Sequence, residues 1–181
     1  MHRTLEKLYL DHAHFHGLID ILEGEIDHNA GGAFFDTTLL LELVDYFRFY
    51  ADTVHHPIED QLYELMLAHS DSGRKTMEQL LGQHLVITTL SRELSSALEG
   101  TREGSPEAAA RVATTGREFI RQQRDHMRYE EYSAFPLLET ELDEEAFNIA
   151  AGAIPAEEDP LLDSQMQRRY PTLFKLLSTL S

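Results

Sequence analysis

Apolar residues recur along most of this chain at steps of three and four, the period of an amphipathic helix, and no stretch shows the alternation of a strand. The first predicted helix covers residues 3–28, with Leu5, Leu8, His12, Phe15, Ile19, Leu22 and Ile26 on its inner stripe. Gly31-Gly32 reads as its glycine stop. Asp36 is the expected N-cap of a second helix that runs to residue 69. Its stripe is Leu40, Val44, Phe47, Ala51, His55, Glu59, Leu62 and Met66. Ser70-Asp71-Ser72-Gly73 is a turn, after which a third helix reaches residue 99 through Met77, Leu80, His84, Ile87, Ser91, Leu94 and Leu98. Gly100 and Gly104 are expected to bracket the next loop. Ser105-Pro106 reads as an N-cap followed by proline at the first helical position. The fourth helix then extends to residue 140, with Val112, Gly116, Phe119, Gln123, His126, Glu130, Ala134 and Leu137 inward. Four long amphipathic helices joined by short loops predict an all-α, up-down-up-down four-helix bundle.

Past that point the pattern weakens. Asp143-Glu144-Glu145 reads as the capped start of a short fifth helix, and Pro155 to Pro160 as an acidic linker. Leu173, Phe174, Leu176 and Leu177 make the last piece apolar, so it packs on the bundle end or on a second copy. The expected division is a bundle over 1–150 and, over 151–181, a linker with a short helical extension. Pro57 and Pro136 fall inside the second and fourth helices, where each is expected to remove a hydrogen bond and kink its helix.

Composition narrows the chemistry. The chain has 181 residues, 42% hydrophobic and 26% charged, enough for one domain with a real core. Thirty-two acidic against fifteen basic residues give a net charge of −17, which argues against nucleic acid and against an anionic membrane surface. There is no cysteine, which excludes disulfides, zinc fingers, iron–sulfur clusters and thiolate catalysis. No apolar run is long enough to span a membrane, and the first residues read as amphipathic helix rather than signal peptide. A cytoplasmic protein, monomer or homodimer, is the expectation. The unusual count is histidine, at ten.

The stripes hold residues that belong on a solvated face: His12; His55 and Glu59; His84; His126 and Glu130. Folding the chain at its loops sets their heights. His12 lies about 21 residues before the first turn and His55 about 22 after it, each about 32 Å from that end at 1.5 Å per residue. Glu59 and His84 are about 13 and 12 residues from the second turn, and His84 and His126 about 19 and 23 from the third. All six therefore share one layer. Burying four imidazoles and two carboxylates unpaired would cost several kcal/mol each, a cost that bound metal removes. In each His-x-x-x-Glu pair, a spacing of four puts both side chains on one helix face. One such pair on each of two helices lets two carboxylates bridge two metals, with the imidazoles completing them. Nitrogen and oxygen ligands without thiolate suit iron or manganese, with zinc less favoured.

At these residues the chain resembles the hemerythrin-like (HHE cation-binding) domain family. The features are Asp11-His12, His55-His56-Pro57-Ile58-Glu59-Asp60, His84, and His126-Met127-Arg128-Tyr129-Glu130-Glu131 followed by Phe135-Pro136. The resemblance spans residues 1–150 and implies a non-haem centre of two iron ions, oxo- or hydroxo-bridged, inside a four-helix bundle. Family activities are O2 carriage, O2 or iron sensing, and reaction with peroxide or NO. The sequence departs from the oxygen carriers. Where they place a second histidine on the third helix this chain has Thr88, and their His-x-x-x-x-Asp is His126-x-x-x-Glu130 here. One imidazole is missing, which directs the expectation to peroxide, O2 or NO chemistry in stress protection. The alternative is a module that senses or buffers iron, O2 or NO without turnover.

Several neighbours are candidates for a further ligand or for an outer contact: His16, His56, Tyr63, Tyr129 and Glu131. His16 lies one turn after His12, whereas His56 is rotated about 100° from His55 and is expected at a pocket edge or in solvent. Asp11, Asp52 and Asp125 are candidates to fix the outer imidazole nitrogens. His2, His14, His28 and His69 are expected at the surface, and the acidic runs 139–145 and 157–159 as solvated.

Overall fold

Side-chain caps fix where the helices begin. The Asp36 carboxylate accepts the Leu39 N–H at 3.0 Å, the Ser105 hydroxyl accepts that of Ala108 at 3.2 Å, and Asp143 accepts that of Ala146 at 2.9 Å. Each satisfies a donor that the first helical turn leaves free. The structure is a computed structural model that describes residues 1–29, 35–102, 105–154, 159–162 and 166–180. Its helices are α1 (Arg3–Asn29), α2 (Thr37–Tyr46), α3 (His56–His69), α4 (Arg74–Arg102), α5 (Pro106–Tyr129), α6 (Phe135–Glu141), α7 (Glu144–Ala153), α8 (Met166–Arg169) and α9 (Pro171–Leu180). There is no strand among the described residues, and the chain is an all-α helical protein. No described helix is long and apolar enough to cross a membrane. The Gly31-Gly32 stop and most of the acidic linker lie outside the described residues.

Two wider stretches interrupt the α-helical runs. Phe47–His55 and Glu130–Ala134 are π-helical, and α2 and α3, like α5 and α6, are continuous through them. Each stands immediately before a proline pair, His56-Pro57 or Phe135-Pro136. The His56 N–H reaches back to the Ala51 carbonyl and the Phe135 N–H to that of Glu130, five residues each. A proline ring clashes with the carbonyl four residues earlier, and the wider turn relieves that contact. The kink expected at each proline thus takes the form of a π turn before it. A π turn also uses an extra residue, so the inward phase of the fourth predicted helix slips. Leu138 is buried, where Leu137 was expected, and Leu137 lies half-buried over Gly73. Gly73 has φ +73°, and a side chain there would run into Leu137. Gly100 lies inside α4 rather than in a loop.

The long helices enclose one core, in which Leu8, Leu22, Leu40, Leu62, Leu94 and Phe119 are all fully buried. α4 lies against α2, α3 and α5, and α1 against α5 and α2. The C-terminal piece is packed on α2: the Glu42 carboxylate accepts the Thr172 and Leu173 N–H groups at 3.2 and 2.8 Å, capping α9. Asp159, expected in a solvated run, is 5% exposed. It accepts the Tyr46 hydroxyl at 2.9 Å and meets His14 Nδ1 at 2.6 Å, so His14 is a packing contact and not a free surface histidine. His2 likewise stacks on Phe147, with ring centres 4.5 Å apart.

Candidate metal centre

The apolar periodicity that builds the core also carries six polar side chains into it. His12 comes from α1, His55 from the first π-helical stretch, Glu59 from α3, His84 from α4, His126 from α5 and Glu130 from the second π-helical stretch. All six are at most 5% exposed. Their functional atoms converge. His55 Nε2 is 3.1 Å from Glu59 Oε1, and His12 Nε2 is 3.6 Å from the same oxygen. His84 Nε2 is 3.5 Å from Glu59 Oε2, so that carboxylate faces both sides of the layer. Glu130 does the same: its Oε2 is 3.3 Å from His12 Nε2 and 3.1 Å from His126 Nε2, and its Oε1 is 3.5 Å from His84 Nε2.

Every one of these imidazoles is held from behind. Asp11 Oδ2 lies 3.0 Å from His55 Nδ1, Glu131 Oε1 3.0 Å from His12 Nδ1, Asp60 Oδ1 2.6 Å from His84 Nδ1, and Gln83 Oε1 3.1 Å from His126 Nδ1. An acceptor at Nδ1 fixes the proton there and leaves the Nε2 lone pair aimed at the centre. Asp11 is itself held by Lys7 at 2.7 Å and by the Tyr50 hydroxyl at 3.1 Å. The Tyr63 hydroxyl donates to Glu130 Oε1 at 2.6 Å. Ring packing completes the support, with Phe15 edge-on to His55 at 4.8 Å and Phe135 stacked on His12 at 5.3 Å.

The atoms facing inward fit a cation. His12 Nε2, both oxygens of Glu59 and Glu130 Oε2 are buried with no hydrogen-bond partner. His84 Nε2 and His126 Nε2 stand 3.1 Å apart although both Nδ1 atoms face acceptors, so two lone pairs oppose each other unless a proton or a metal lies near. One ligand atom each from His12, His55 and Glu59 lie within 4.8 Å of one another, as do atoms from Glu59, His84, His126 and His56. Glu59 is common to both groups. Imidazole and carboxylate without thiolate is a donor set for iron, manganese or zinc.

The family model of the hemerythrin HHE cation-binding domain matches residues 3–138 of the chain. The chain belongs to this family. No curated protein and no solved structure matches it. In this HHE domain the six side chains named from the sequence stand together, and the flanking candidates separate. Glu131 and Tyr63 touch the layer as described above. His16 does not join it, being 43% exposed with Nε2 3.9 Å from Glu131. The Tyr129 hydroxyl turns away to Thr76 at 3.1 Å. Asp125 is a correction: its side chain is half-buried and turns outward to pair with Arg128 at 2.7 Å, so it holds none of these imidazoles. Asp60 and Gln83 were missed as supports. Each is the chain neighbour of an inward residue, one step round the helix, and that adjacency is the signal that could have found them.

Charge in the metal-free HHE domain is divided among the histidines. Burial disfavours charge on His12 and His84, but the neighbouring carboxylates outweigh it, Glu130, Glu131 and Glu59 for His12 and Asp60, Glu130 and Glu59 for His84. Both are held well above the usual imidazole value. Burial pushes His126 down to about 3, against the pull of Glu130, and it lowers His56 too. Raised groups stabilise the fold below the unfolded value, about 6.5, and lose that contribution as pH rises through the folded value. Lowered groups do the reverse, losing theirs as pH falls below the unfolded value. Stability of the metal-free protein is therefore expected to peak near pH 6.5. Each net proton gives a slope of about 1.4 kcal/mol per pH unit on the two flanks. Urea unfolding of chelated protein across this range checks it; a steady rise from mildly acidic to mildly alkaline pH would contradict the assignment.

Proposed function

We propose that this HHE domain is an up-down-up-down four-helix bundle that binds two iron ions and reacts with peroxide, O2 or NO, protecting a cytoplasm from oxidative or nitrosative stress. The observation that carries this reading is the pair of carboxylates, Glu59 and Glu130, each facing imidazoles from both sides of the layer. His12 and His55 would hold one ion, His84 and His126 the other, and the two carboxylates would bridge. Bound iron supplies open coordination positions and a redox couple at which small oxidants react. Tyr63 stays protonated, because burial and then the charge of Glu130 hold its hydroxyl well above its usual value, and its donation orients Glu130 Oε1. Phe15 and Phe135 exclude bulk water from the imidazoles they pack on.

The test is evolution of O2 from hydrogen peroxide, two molecules giving one O2 and two waters. Iron-loaded protein is expected to evolve O2 well above the same concentration of free iron, and the His55→Ala/Glu59→Ala variant is not. Equal rates for protein and free iron would remove the peroxide reading. A second reading, sensing or buffering without turnover, is favoured by one linkage. His55 is joined through Asp11 to Tyr50, whose ring lies 5.8 Å from that of Tyr46, and Tyr46 bonds Asp159 of the C-terminal piece. Under that reading hydrogen exchange in α9 changes on iron loading while peroxide is left untouched.

A further inference from the structure

A fifth imidazole is buried beside this layer, and the proposed ligand set does not use it. His56 is 4% exposed, and its Nδ1 has no hydrogen-bond partner. Its ring stacks on His84, with centres 4.3 Å apart and planes at 19°, and meets His126 edge-on at 5.8 Å. One of its ring nitrogens lies within 4.8 Å of ligand atoms of Glu59, His84 and His126. We propose that His56 is a further metal ligand, in the half of the centre formed by Glu59, His84 and His126. This rests on the two-metal reading above.

Local geometry supports that role in three ways. A carboxylate stands beside this ring as one does beside His12, His55 and His84: Asp52 Oδ1 lies 3.4 Å from His56 Nδ1. Thr88 holds that carboxylate in place, its hydroxyl donating to the same Asp52 oxygen at 3.0 Å. The His56 ring lies against His84, one turn before Thr88. The backbone explains why two consecutive histidines both point inward. In an unbroken α-helix they would diverge by about 100°. Here they close a π-helical stretch, whose wider turns set consecutive residues less far apart round the axis, and both are buried.

Cobalt(II) titration of the metal-free protein tests this, read by visible absorption and by the cobalt-shifted exchangeable imidazole N–H signals in proton NMR. The native protein is expected to take up two cobalt ions and to show five such signals, from His12, His55, His56, His84 and His126. His56→Ala is expected to keep its helix content, show four signals, and weaken one site by more than the about 10- to 100-fold that loss of an outer partner costs. Four signals from native protein carrying two cobalt ions would overturn the inference, as would His56→Ala with both affinities unchanged. If His56→Ala does not fold, the native signal count decides alone. Native protein that binds fewer than two cobalt ions would overturn the two-metal reading itself, which separates that failure from this one.

Discussion

Glu59→Gln is expected to strip the protein of both metal ions and leave its helices in place. Glu59 is the one residue common to both candidate ligand groups. Its Oε1 faces His55 and His12, its Oε2 faces His84, and neither oxygen has a hydrogen-bond partner. Glutamine keeps the shape and removes the charge, and its amide nitrogen is no ligand. Losing an outer support already costs about 10- to 100-fold in metal affinity, and this substitution removes an inner ligand from each ion. Metal content after gel filtration should fall from about two ions per chain to less than one. The helices persist because their stability comes from apolar burial on either side of the layer, at Leu8, Leu22, Leu62 and Phe119 among others. Retention of two tightly held ions by a folded Glu59→Gln protein would show that the carboxylate does not bridge.

Removing the metal from the native protein should lower its melting temperature by about 5–16 °C. Ions held at 100 to 1,000 times their dissociation constant stabilise a fold by about 2.7–4.1 kcal/mol. In a chain of this size each kcal/mol shifts the midpoint by about 2–4 °C. The sign follows from the layer: without metal, buried imidazole and carboxylate atoms face one another with no partner, and the binding free energy is returned as folding free energy. Calorimetry with and without chelator, beside circular dichroism at room temperature, separates the two states. The helix signal should be the same in both. An unchanged melting temperature after complete loss of metal would mean that the ions are incidental to the fold.

The heights of His12, His55, His84 and His126 were legible because a helix advances by a fixed rise, so counting residues from the turns locates a side chain along the axis. The caps at Asp36, Ser105 and Asp143 were legible for a similar reason, since each is a local match between one side chain and one free N–H. What escaped was any change of helical phase. Pro57 and Pro136 announce a disturbance, but a kink and a π turn look alike in sequence, and the π turns go with a buried His56 and with a buried position at Leu138 rather than Leu137. Asp60 and Gln83 escaped because a helix-surface polar residue is ordinary until its neighbour is seen to be a candidate ligand. Asp159 escaped because its partners, Tyr46 and His14, are more than a hundred residues away, and nothing local distinguishes it from a solvated acid.

The most direct test of the central claim is metal content by plasma mass spectrometry, on protein expressed without added metal, with one ultraviolet–visible spectrum of the same sample. The account predicts about two irons per chain and a charge-transfer band in the near ultraviolet. Zinc alone or no metal, with no such band after iron is added back, would contradict it.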